Sequence, residues 1–195
     1  MVHVRLEELE EYAKINNIPI MQKDGIEFLI DYIKKNNIKD ILEIGTAIGY
    51  SSIKMALIDK NIKITTIEKD KDRYELAIKN IEEFNLNNQI NVIFGDALEI
   101  EINKKFDLIF IDAAKSQYIK FFEKFDKNLK VNGVVVSDNL SFHGLVEDDS
   151  KTNNRNTKQL VKKIRKYIEY LKNNKNYNTT FYTLGDGVAV SIKEN

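Results

Sequence analysis

Asp112 and Lys115 follow directly on an apolar run, Leu108 to Ile111, in the stretch FDLIFIDAAKSQY. A second run, Val134 to Val136 in GVVVSDN, stops on Asp138 and Asn139. Runs of this kind sit inside parallel sheets, so each delivers oxygen donors at the C-terminal end of a buried strand. Two carboxylates and an amide carbonyl are hard ligands, which favour Mg²⁺, Ca²⁺ or Mn²⁺ over zinc. Taken singly, either aspartate is better explained by a helix N-cap, and Lys115 by the solvated surface. Together on neighbouring strands, with Asn139 adjacent, they read as a metal site with a lysine placed to act as general base.

A second constellation lies earlier in the chain. LEIGTAIGYSS carries Gly45 and Gly49 at G-x-x-x-G spacing. A dinucleotide fingerprint needs G-x-G-x-x-G, whose second glycine lets the backbone approach a pyrophosphate. Ala47 occupies that position and Tyr50 the third. A loop relieved of a pyrophosphate suits a ligand with one nucleoside and an amino-acid tail, such as S-adenosylmethionine (SAM). Glu43 would receive the cationic amino group, while Ser51 and the helix start would face the carboxylate. Glu68 ends TTIE at the next strand, placed to take both ribose hydroxyls. Asp96 and Ala97, in FGDA, fall where an adenine edge would lie.

These residues need strands to carry them, and the pattern supplies the strands. Two helices come first, with Leu6, Leu9 and Ala13 on one face and Ile26, Leu29, Ile30 and Ile33 on another. The only proline, Pro19, lies between them. Strands are expected at 40–44, 62–68, 90–94, 106–112 and 133–138. Helices are expected at 51–58, around Tyr74 to Phe84, around Tyr118 to Phe125, and around Leu160 to Leu171. YNTTFYTLGDGVAVSI reads as a hairpin about a Gly-Asp-Gly turn. Alternating strand and helix means parallel pairing with helices on both faces. All 195 residues fit a single domain, with N-terminal helices over 1–36 and an α/β core over 40–195.

Composition narrows the field. Thirty basic and thirty acidic residues cancel, so no global field drives the chain to nucleic acid or membrane. The absence of cysteine removes disulfides and thiolate metal sites, and two histidines make a histidine-rich zinc site improbable. The charged start MVHVRLEELEEY lacks a signal-like apolar stretch, and no apolar run reaches the roughly 20 residues of a membrane span. A soluble cytoplasmic protein is expected.

EIGTAIGYSS, IDAAKSQY and VVSDN resemble the metal-dependent O-methyltransferases of the catechol and caffeoyl-CoA type, over nearly the whole chain. The resemblance implies a Rossmann-like SAM methyltransferase fold, a mostly parallel seven-stranded sheet with a C-terminal antiparallel hairpin. It implies that Asp112, Asp138 and Asn139 bind Mg²⁺ or Mn²⁺, with Lys115 beside the reacting hydroxyl. Asp112 and Asn139 join Lys115 as the expected catalytic residues. The expected cofactor contacts are Met21, Glu43, Gly45, Ser51, Glu68, Asp96, Ala97, Asp112 and Tyr118, with Tyr118 also in the core. His143 is expected as a rim or loop-packing residue.

Within that family the chain resembles a short bacterial branch acting on tRNA, through EYAKINNIPIM, DNLSFHGLV and the Asn154–Asn156 triplet. That implies conversion of 5-hydroxyuridine to 5-methoxyuridine at the wobble position, with the anticodon loop as partner and Arg155 as a substrate contact. Ser141 departs from the bulkier apolar residue expected there and leaves the shape of the substrate mouth open. Lys158, Lys162, Lys163, Arg165 and Lys166 offer a basic helix for RNA, although such runs are usually solvated faces. The alternative substrates are small catechols or caffeoyl-type phenolics. A non-catalytic SAM- or RNA-binding module is the alternative of another class, and intact Asp112, Lys115, Asp138 and Asn139 argue against it. Homologues in the family are commonly homodimers, and the first two helices would either cover the sheet or pair with a second subunit.

Overall fold

A computed structural model describes residues 2–194. Two helices, α1 (Val2–Ile15) and α2 (Lys23–Lys35), precede an alternating core. The core runs β1 (Asp40–Ile44), α3 (Tyr50–Ala56), β2 (Lys63–Glu68), α4 (Lys71–Glu83), β3 (Ile90–Phe94) and β4 (Phe106–Ile111). It continues with α5 (Tyr118–Phe125), β5 (Leu129–Ser137), α6 (Arg155–Asn173), β6 (Tyr177–Tyr182) and β7 (Val188–Lys193). The seven strands form one sheet in the order β3-β2-β1-β4-β5-β7-β6. The first five pair in parallel, and β7 runs antiparallel to both β5 and β6. The order reverses between β1 and β4, the switch point beyond which ligands of such sheets bind.

Period-two alternation divides the core into two layers. Ile41, Ile64, Leu108, Phe110, Val134 and Val136 face α1, α2 and α3, together with Leu9, Ala13, Ile26, Leu29 and Ile33. Leu42, Ile67, Ile109, Ile111 and Val135 face the aromatic stripe of α5 and the Ile164–Tyr167–Leu171 face of α6. Burying each such side chain contributes about 1.5–3 kcal/mol, so the strand ends that carry the polar residues are held by apolar packing on both sides. The apolar faces of α1 and α2 cover the sheet of their own chain. No helix among the described residues is long and apolar enough to cross a membrane.

Several boundaries differ from expectation, two of them for a visible physical reason. β5 begins at Leu129 rather than at 133, and its pairing with β4 shifts register between Phe106 and Leu108. Asn132 is left-handed (φ 59°), and a side-chain carbon on Gly133 would meet Leu129 Cγ at 2.7 Å. The Asn-Gly pair that looks like a strand boundary is therefore a bulge inside a longer strand. α3 starts at Tyr50, one residue early, with left-handed Gly49 (φ 86°) as its N-cap.

Candidate active site

The ends of β1, β4 and β5 lie in step. Asp112 donates its N–H to Ile44 O at 3.0 Å, and Asp138 donates its own to Ile111 O at 3.2 Å. These bonds extend the ladder one residue beyond each strand and set Gly45, Asp112 and Asp138 side by side at the switch point. A cavity of about 570 Å³ opens over them, walled on one side by Pro19, Met21 and Gln22 from the linker between α1 and α2.

The glycine loop is held tightly against the sheet. Gly45 and Thr46 both donate to Ile67 O, at 3.1 and 3.3 Å. Glu68 then clamps the loop, accepting from Ala47 N at 2.8 Å with one oxygen and from Asp70 N at 2.9 Å with the other. A carboxylate has about four acceptor sites, so Glu68 keeps capacity for ligand hydroxyls while holding the loop. Asp96 and Ala97 line the same cavity beyond β3.

Glu43 does something different from what its position in the sequence suggests. It is fully buried behind the loop, outside the cavity lining. Its carboxylate accepts from Ser51, from Ser52 and, at 2.6 Å, from Thr66 Oγ1. Burial pushes its carboxyl up to about 7, against the pull of those hydroxyls, and the nearby Asp112 charge adds to the rise. In this structure Glu43 cross-links β1, β2 and α3 under the loop, while Ser51 reaches the cavity wall.

Asp138 is 1% exposed, and neither carboxylate oxygen has a hydrogen-bond partner. Burial and then the charge of Asp112 push its carboxyl up to about 7, against the opposing charge of Lys115. Asp112, partly open to the cavity, is likewise raised by burial, with Lys115 opposing. Orphaned buried carboxylate oxygens are costly. Among the described residues no three His, Asp or Glu side chains converge as a metal cage, and the neighbouring Asn139 amide is a further oxygen donor beside the two aspartates. Asp112, Asp138 and Asn139 together match the hard donor set of a divalent cation.

A sequence model of the O-methyltransferase family matches residues 2–194. The chain belongs to this O-methyltransferase family. A Staphylococcus aureus protein named as a putative caffeoyl-CoA O-methyltransferase is 42% identical and superposes with a TM-score of 0.93, covering 96% of this chain and 91% of that one. A Bacillus cereus O-methyltransferase solved in complex with SAH is 29% identical, with a TM-score of 0.83 over 98% of this chain and 91% of its own. A catechol O-methyltransferase from Niastella koreensis is 36% identical over 121 residues, 58% of this chain and 55% of that protein. The chain spans less than two thirds of the length of several curated relatives it matches.

In this member of the family the cavity brings together Met21, Gly45, Ser51, Glu68, Asp96, Ala97, Asp112, Lys115 and Asn139. Asp138 lies beneath that surface. Tyr118, expected in the core and also as a cofactor contact, is 1% exposed within the core and outside the lining. Its hydroxyl donates to Asp138 O at 3.1 Å. Burial and the charges of Asp112, Asp138 and Asp186 hold that hydroxyl well above the usual tyrosine range, so it stays a donor. Arg155 is the exposed first residue of α6 and does not reach the lining; Asn154 before it is the helix N-cap. Arg165, grouped with the basic RNA footing, is tied inward to Val146 O at 2.9 Å and Asp149 at 3.1 Å. The ring of His143 is exposed at the rim.

Phe142 and Asp186 are among the lining residues that the sequence does not single out. Phe142 presents its ring 6.0 Å from Lys115 Nζ, with a left-handed backbone (φ 49°) that is strained for an aromatic residue. Asp186, in the hairpin turn, points into the site and accepts from Asn139 Nδ2 at 3.3 Å. Its Gly-Asp-Gly context signals a turn and nothing more.

Proposed function

We propose that this O-methyltransferase moves the SAM methyl to a hydroxyl standing beside a second oxygen on a planar ring. The observation that carries this reading is the pair of unpartnered, buried Asp138 oxygens next to Asp112 and Asn139. They lie under the same cavity that Glu68 and the glycine loop line. Asp112, Asp138 and Asn139 would hold Mg²⁺ or Mn²⁺. A divalent cation bound there supplies positive charge that acidifies the hydroxyl and favours two adjacent oxygens. Lys115 Nζ, acting as the free amine, takes the proton from the hydroxyl and becomes an ammonium, and the freed oxygen forms its bond to the methyl carbon as the carbon–sulfur bond breaks. The sulfonium thereby becomes a neutral thioether. The linker wall and Phe142 exclude water and orient the ring for this in-line displacement.

A small catechol or caffeoyl-type phenolic is the favoured substrate class. It is supported by the Phe142 face beside Lys115 and by the catechol and caffeoyl-CoA enzymes among the relatives. The second reading is 5-hydroxyuridine in a tRNA anticodon loop, whose 5-hydroxyl and 4-carbonyl form the same oxygen pair. It is supported by the likeness of residues 11–21 and 138–146 to the tRNA branch, and by exposed Arg155, Lys162, Lys163 and Lys166 at α6. The test is incubation with SAM and Mg²⁺ in the presence of a catechol panel or hypomodified tRNA, followed by mass spectrometry. Methylated catechol with unmodified tRNA supports the first reading, and 5-methoxyuridine in digested tRNA replaces it with the second.

A further inference from the structure

We infer that Asp186 is a positioning residue, whose carboxylate sets the orientation of the Asn139 amide so that its carbonyl oxygen is the end offered to the cation. The inference rests on the metal reading above and assigns a role to a residue outside the ligand set. Asp186 lies in the Gly185–Asp186–Gly187 turn between β6 and β7 and is 4% exposed. One carboxylate oxygen accepts from Asn139 Nδ2 at 3.3 Å, and the other accepts from His143 N at 2.5 Å. The backbone of the same turn accepts from Ser141 N at 2.7 Å and Leu140 N at 3.0 Å. One turn therefore grips the whole 139–143 segment.

The chemistry of the pair decides the orientation. An amide has one donating end and one accepting end, whereas an ionised carboxylate only accepts. Asp186 must therefore face the NH₂ group of Asn139, which leaves the carbonyl oxygen at the opposite end. A flipped amide would present N–H hydrogens to a cation and coordinate nothing. Asn139 itself is left-handed (φ 61°), a conformation asparagine tolerates better than most residues. The turn has little room to retreat. A side-chain carbon on Gly187 (φ 85°) would stand 2.7 Å from Ser141 N, and one on Gly185 (φ 55°) 3.2 Å from Gly25 N. Partners that orient a metal ligand in this way typically change metal affinity by 10–100-fold when removed.

The test is a double-mutant cycle read by Mn²⁺ binding, followed by electron paramagnetic resonance of free Mn²⁺ on the full chain. Asp186→Asn keeps an oxygen for His143 N–H but sets an NH₂ group against that of Asn139. It should weaken Mn²⁺ binding about tenfold or more, with the thermal midpoint and SAM affinity close to wild type. In an Asn139→Ala background the same change should cost less than about twofold, because the amide it acts through is gone. An equal loss in both backgrounds would mean that Asp186 acts through its charge or the loop, and would overturn the inference. The swap Asn139→Asp with Asp186→Asn restores one donor facing one acceptor and should recover Mn²⁺ binding even where the single variant folds poorly. Failure of the swap to recover binding also counts against the inference. If wild type takes up no Mn²⁺, or Asp138→Ala binds as well as wild type, the metal reading itself is wrong.

Discussion

A side-chain carbon on Gly45 would stand 2.1 Å from the backbone carbonyl oxygen of Asp112. The first residue after β1 and the first residue after β4 thus touch across the switch point, backbone to backbone. The glycine loop after β1 and the Asp112 end of β4 are thus packed with no room for a side chain between them.

Gly45→Ala should therefore damage both. Its φ of 101° alone costs an alanine about 1–3 kcal/mol, and the obstructing atom is backbone that cannot swing aside. The expected outcome is a lowered thermal midpoint together with loss of SAM binding by calorimetry. Wild-type values for both would show that the contact does not constrain the loop.

Lys115→Ala should slow the chemical step by about 10²–10⁴, the range for a lost general base. SAM affinity should hold, since Lys115 is absent from the grip on the glycine loop. Raising the pH, which ionises a phenolic substrate without help, should recover part of the rate. An unchanged single-turnover rate would remove Lys115 from the chemistry.

Arg155→Ala separates the two substrate readings. Basic side chains on flanking phosphates add salt-sensitive affinity, so a tRNA substrate should show a raised KM and unchanged SAM affinity. A catechol, lacking phosphates, should be indifferent. A shifted catechol KM would place Arg155 at the cavity after all.

Far from the site, Lys130 bridges Asp40 at 3.0 Å and Asp107 at 2.8 Å, tying the starts of β1, β4 and β5. Burial opposes ionisation of Asp107, but Lys130 and the N–H groups of Asp40 and Lys39 outweigh it and hold the carboxyl below its ordinary value. Asp40 is likewise lowered, by Lys104 and Lys130 against burial. A depressed folded value means that the contribution is present above the unfolded value, near pH 4, and is lost as pH falls through the folded one. Lys130→Met should cost no more than about 1 kcal/mol at neutral pH, because the cluster is partly solvated. Its stability should also fall less steeply than wild type below about pH 4. Parallel acid limbs in denaturant titrations would contradict the assignment.

Much of the site was legible because its residues are local to strand ends. The runs before Asp112 and Asp138 mark their own strands, and the G-x-x-x-G spacing departs from the dinucleotide fingerprint without reference to tertiary contacts. Glu43 was less legible, since its fate depends on Ser51, Ser52 and Thr66 converging from α3 and β2. An acid before a glycine loop looks the same whether it faces a ligand or a triad of hydroxyls. Tyr118 was legible as core, but its second reading as a cofactor contact was not decidable from the stripe, because one apolar stripe can hold both core and wall residues. Asp186 was hidden for a third reason. Its partner Asn139 is 47 residues away, joined only because β7 pairs antiparallel with β5.

The most direct test of the central claim is product formation from SAM and a catechol by chelator-stripped protein, with and without restored Mg²⁺ or Mn²⁺, read by mass spectrometry. No methylated product should form in EDTA, either cation should restore it, and Asp138→Ala should show no recovery while still binding SAM through the intact Glu68 clamp. Equal product in EDTA, or full turnover by Asp138→Ala, would contradict that claim.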